Sequence, residues 1–185
     1  CGDGSFLISM SKHYVGKGRF HGFDPSGDVE PNQSAILFSR SLYMPLEDTP
    51  KYKPDLIVMR HVIEHLTAPS SFLHSLAWGA SSYEQPTYLY CEVPCIDRVF
   101  ETGRLADFYY EHPSQFTTAS FTRMLKTAGK IVDIHHSYDG EVICGLVELT
   151  PSDEQQITNQ NADAYFSIIS DSIQQIRKDL KGLVD

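Results

Sequence analysis

The residues best placed to hold a small ligand are two glycines at the start of the chain and one aspartate further on. Gly2 and Gly4 fit a turn where backbone must approach a ligand with no Cβ in the way. The helix expected after them, from Ser5 onward, offers free N–H groups to a carboxylate or phosphate. Asp24 closes the run RFHGFDPS, which reads as a short strand ending on an acid. An acid at that strand end accepts hydrogen bonds from both hydroxyls of a ribose. Together the glycine turn and Asp24 indicate an adenosine-containing ligand. A dinucleotide is disfavoured, because the third glycine of G-x-G-x-x-G is replaced by Leu7, and that glycine permits tight helix packing beside a pyrophosphate.

A second constellation is His61, Glu64 and His65, spaced H-x-x-E-H. On a helix this is the pattern of one group of zinc peptidases, with the glutamate as base. The same spacing also suits one helical turn that packs Val62, Ile63 and Leu66 inward and leaves both histidines as hydrogen-bonded helix residues. No particular downstream carboxylate is singled out as a third ligand, so no metal is expected. Cys1, Cys91, Cys95 and Cys144 supply a single C-x-x-x-C without a second pair at zinc-ribbon spacing, and they are read as reduced and structural.

The elements that must position these residues alternate between strand and helix. Phe6, Leu7 and Met10 recur at helical spacing, so a first helix is expected to run to about Tyr14. AILFSRSLY reads as a strand, and the Leu-Ile-Val core of KPDLIVM suits a strand buried on both faces. RHVIEHL opens a helix region covering about Ser70 to Ala80, and PTYLYCEVPC is β-rich. Ile96 to Thr117 is expected to be a long functional loop. Ser120 to Thr127 reads as a helix stopped by Gly129, and IVDIHH and EVICGLVEL form a hairpin around Tyr138, Asp139 and Gly140. The pattern predicts an α/β sheet whose last strand runs antiparallel, with ligands at the strands' carboxyl ends.

CGDGSFL, GFDPS, DLIVMRHVIEHL and YLYCEVPC, in that order, resemble the successive motifs of class I S-adenosylmethionine-dependent methyltransferases. The resemblance covers about the first 150 residues and implies a Rossmann-like sheet, mostly parallel with an antiparallel terminal hairpin strand. It implies S-adenosylmethionine as cofactor, with Gly2 and Gly4 beside its amino acid portion, Asp24 on its ribose and Arg60 and His61 lining the pocket. Glu47 or Asp48 would lie near the adenine. DFYYEHPSQFT further resembles a segment of the sugar C-methyltransferases that act on nucleotide-linked keto-deoxysugars. That resemblance implies His112 as general base, Glu111 orienting it or sharing its proton, and Tyr109 hydrogen-bonding the developing enolate oxygen. O- or N-methylation of another small metabolite, and a non-catalytic cofactor-binding module, remain the alternatives.

The totals are consistent with this. The 185 residues are 41% hydrophobic and 21% charged, which suits one principal soluble domain. A net charge of −9, with scattered Lys and Arg, argues against nucleic acid and for a small-molecule substrate. No apolar run approaches the roughly 20 residues of a membrane span, and a cytoplasmic protein is expected. The glycine turn has no strand before it, so the sequence is expected to be a fragment. Residues 1–150 are read as the cofactor-binding domain. The polar run PSDEQQITNQN and a helix over Tyr165 to Leu180 are read as a linker and the lead into a further domain.

Overall fold

The structure, a computed structural model, describes residues 2–14, 18–26, 36–104, 112–151 and 178. Six strands carry it: β1 (Phe20–Phe23), β2 (Ile36–Ser39), β3 (Leu56–Arg60), β4 (Tyr88–Pro94), β5 (Gly129–Ser137) and β6 (Val142–Leu149). β1 and β2 pair in parallel, Phe20 opposite Ile36. The other four form a sheet in the order β3-β4-β6-β5. β3 and β4 run parallel, with Arg60 opposite Glu92. β6 runs against both β4 and β5, so it alone is reversed in that sheet. The expected α/β sheet with an antiparallel closing hairpin is therefore the observed one.

Five helices cover the sheet: α1 (Ser5–His13), α2 (Pro45–Tyr52), α3 (Pro69–Ala80), α4 (Ile96–Thr102) and α5 (Thr118–Lys126). The core lies where β4 and β6 meet α3 and α5: Leu73, Leu76, Leu89, Val93, Phe121, Leu125, Ile143 and Val147 are all fully buried there. This is why β4 reads as an apolar run, since strands covered on both faces lose the alternation of half-exposed ones. α5 starts from a capping box in which the Thr117 hydroxyl accepts the Ser120 N–H and the Ser120 hydroxyl accepts the Thr117 N–H. Asp97, in the first turn of α4, accepts both the backbone N–H and the hydroxyl of Thr118 at 2.7 Å, which ties the two helices together. No helix among the described residues is long and apolar enough to cross a membrane.

Four local expectations differ from the structure. β3 is an edge of its sheet among the described residues, so Leu56 is 46% exposed and Met59 is its one buried residue. PLEDTPKY, unassigned in the sequence, forms α2, with Pro45 in the first turn and the Asp48 carboxylate accepting the Met44 N–H at 2.7 Å. Ile96 to Thr117 is not all loop, because Ile96–Thr102 forms α4. Gly129 stops no helix: α5 ends at Lys126 and Gly129 opens β5. The residues read as a linker, and the helix read over 165–180, lie outside the described residues apart from Pro151 and Lys178.

Candidate functional site

The site is built where β1 and β3 end and α1 begins. Gly2 and Gly4 both take left-handed backbone, φ 55° and 76°, which favours glycine. The Gly2 N–H donates to Asp24 Oδ2 at 2.7 Å, and the Asp24 N–H donates to the Ser39 carbonyl. The glycine turn, the end of β1 and the end of β2 are thereby joined. A Cβ placed at Gly2 would meet no atom within 4 Å, so the turn is open on the side a ligand would approach. Ser26 donates to the other Asp24 oxygen. Oδ1 thus accepts two hydrogen bonds, from the N–H and the hydroxyl of Ser26. The Ser26 hydroxyl and the Gly2 N–H hold the Asp24 carboxyl below the usual carboxylate range. Asp24 is therefore charged throughout neutral pH. Glu47 and Asp48 sit in α2, where the Asp48 carboxylate accepts the Met44 N–H at the start of its own helix.

Arg60 and His61 follow directly at the end of β3. Arg60 donates from Nε to Glu92 Oε1 at 2.6 Å, and its guanidinium lies 5.0 Å from the centre of the Phe6 ring on α1. His61 has φ 51°, a left-handed turn by a residue with a Cβ, which marks where the chain leaves the sheet. Its ring stands between two buried carboxylates, with Nδ1 3.3 Å from Glu64 and Nε2 3.6 Å from Glu92. Glu92 also accepts from the Tyr90 hydroxyl. Arg60 thus links α1 to β4, and His61 links β4 to the segment after β3.

That segment is not the helix the H-x-x-E-H spacing suggests. Only Ile63–His65 closes a short 3-10 turn, and α3 begins at Pro69. Ile63 packs inward as expected, but Val62 is 38% exposed. Among the described residues, His61 does not join Glu64 and His65 as a metal-ligand set. The group that does converge is Glu64, His65 and His112, whose ligand atoms all lie within 4.8 Å of one another. The His65 and His112 rings meet edge to face, 4.6 Å apart. Backbone bonds fix this meeting: the Ser114 N–H donates to the Glu64 carbonyl and the Ser114 hydroxyl to that of Leu66. Tyr109 and Glu111 lie outside the described residues.

A chain of contacts therefore runs from Gly2 through Asp24 on one side, and from Phe6 through Arg60, Glu92, His61, Glu64 and His65 to His112 on the other. Glu92 was missed in the sequence, and Glu64 entered only through the H-x-x-E-H spacing. Their signal was present, since each is an acid inside an otherwise apolar run, and buried acids need partners.

An α/β sheet with a glycine turn and an acid at its strand ends fits a nucleotide-cofactor domain. The chain belongs to the family of methyltransferase domains, whose family model matches residues 1–131. Its fold is similar to that of the plantazolicin methyltransferase BpumL in complex with a pentazolic desmethylPZN analogue and SAH: TM-score 0.59, 14% identity, 81% of this chain and 74% of that one. LepI in complex with SAM aligns with a TM-score of 0.57 and 15% identity, over 80% of this chain and 41% of that one. A 16S rRNA (adenine(1408)-N(1))-methyltransferase from Catenulisporales acidiphilia aligns with a TM-score of 0.54 and 12% identity, over 82% and 83%. At such identities the likeness is one of fold. No curated protein sequence matches the chain.

Proposed function

We propose that this methyltransferase domain uses S-adenosylmethionine to methylate a carbon of a small keto acceptor, a nucleotide-linked keto-deoxysugar. The observation that carries the reading is the junction of the open glycine turn with Asp24, joined by the 2.7 Å bond from Gly2. The proteins of similar fold support the donor, since BpumL is described with SAH and LepI with SAM.

When bound, S-adenosylmethionine supplies an electrophilic methyl group on a positively charged sulfur. Gly2 and Gly4 give its amino acid portion room against the backbone, and Asp24 accepts from its ribose hydroxyls. Arg60 and His61 close the wall beside it. Carbon is a poor nucleophile until a proton is removed beside the ketone, so the acceptor needs a base held close to that carbon. His112 would take this proton on an imidazole nitrogen, leaving an enolate carbon able to accept the methyl group that S-adenosylmethionine would supply. Glu111 orients His112 and Tyr109 hydrogen-bonds the enolate oxygen, roles that rest on the resemblance of DFYYEHPSQFT.

The test is a panel of nucleotide-linked keto sugars incubated in D₂O with S-adenosylhomocysteine in place of the donor, followed by incubation with the donor itself. Deuterium entering beside the ketone, and a new carbon-bound methyl in the second step, are expected. Methyl transfer to oxygen or nitrogen without deuterium exchange would contradict carbon methylation while keeping the enzyme class.

A further inference from the structure

We propose that Glu64, His65 and His112 form a three-ligand site for a divalent transition-metal ion of the zinc class. Two imidazoles and one carboxylate, with a fourth position left for water or substrate, are a donor set that zinc and its neighbours accept. The three ligand atoms already lie within 4.8 Å of one another. A tetrahedral ion with bonds near 2.0–2.1 Å would bring them to roughly 3.3 Å apart, a closure of at most about 1.5 Å. The site is graded in depth: Glu64 is buried, His112 half-buried and His65 exposed, so an ion enters from the histidine side.

Glu64 supplies the independent observation. It is 1% exposed, and neither carboxylate oxygen has a hydrogen-bond partner. A buried carboxylate without hydrogen-bond donors is costly, and it calls for a positive charge. His61 Nδ1, 3.3 Å from Oε1, reaches only one of the two oxygens and carries charge only when protonated. A divalent ion held by Glu64 together with His65 and His112 satisfies the group fully.

The consequence rests on the proposed role of His112 as base. A ring nitrogen bonded to an ion cannot take a proton, so the ion and the base use the same atoms in turn. Metal binding is then an off state of the methyl-transfer site.

The test begins with metal-stripped protein titrated with Co²⁺, followed by visible absorption, with Zn²⁺ as competitor. The expected result is one equivalent of Co²⁺ per chain, displaced by Zn²⁺. Binding should be at least about tenfold weaker in Glu64→Gln and in His112→Ala, with far-ultraviolet dichroism and a cooperative urea transition reporting that each variant is folded. Absent Co²⁺ binding, strong thiolate bands, or an affinity unchanged in His112→Ala would each overturn the site. The base reading fails by a separate result, namely full turnover of metal-free His112→Ala.

Discussion

In the proposed mechanism Asp24 and His112 carry different steps, and the two separate experimentally. Asp24 follows β1 and accepts from the glycine turn, whereas His112 meets His65 in the segment after β3. A base acts only after binding, so His112→Ala should lower kcat by about 10²- to 10⁴-fold while leaving donor affinity nearly intact. Steady-state kinetics with a measured donor Kd checks this, and a large loss of donor affinity instead would place His112 in the binding wall. The three buried cysteines need no such role. Burial, with the nearby Glu64 charge for Cys91, pushes that thiol far above its ordinary range, which leaves it protonated and unreactive.

At the scale of elements, packing is specific enough to predict from single atoms. A Cβ on Gly145 of β6 would lie 2.4 Å from Leu125 Cδ1 and 3.0 Å from Ile134 Cδ1. Gly145→Ala should therefore destabilise the domain by about 1–3 kcal/mol, read as a lower urea midpoint. Thr117→Ala removes one half of the α5 capping box and should cost about 1 kcal/mol by the same measurement. Strands and helices with strong periodicity were legible in the sequence: DLIVM, YLYCEVP and the closing hairpin stand where their apolar patterns placed them. α2 and α4 were not, because each is short, polar and defined by its caps and tertiary contacts rather than by an apolar stripe. The H-x-x-E-H run misled for a related reason. Spacing describes a helix, but His61 turns the backbone left-handed at the sheet edge and redirects the segment toward His112.

The whole molecule presents a net charge of −9, with 15 Lys and Arg against 24 Asp and Glu. Binding to a polyanion gains its strength from clustered positive charge that displaces counterions, and this balance does not supply it. Methyl-labelled donor should accordingly leave no label in ribosomal RNA, although one protein of similar fold is a 16S rRNA methyltransferase. Label in RNA above background would overturn the small-molecule acceptor. The glycine turn and the acid after β1 were the most legible part of the chain, since Gly2, Gly4 and Asp24 depend on local backbone and strand ends that a sequence pattern encodes. The meeting of Glu64 and His65 with His112 depends on two segments 47 positions apart (112 − 65), which no local pattern reports. The most direct measurement is calorimetric titration of the chain and of its Asp24→Ala variant with S-adenosylmethionine and with NAD. The account predicts binding of S-adenosylmethionine near micromolar Kd, at least about tenfold weaker in Asp24→Ala, and no comparable binding of NAD. Absence of S-adenosylmethionine binding, or an affinity unaffected by Asp24→Ala, would contradict it.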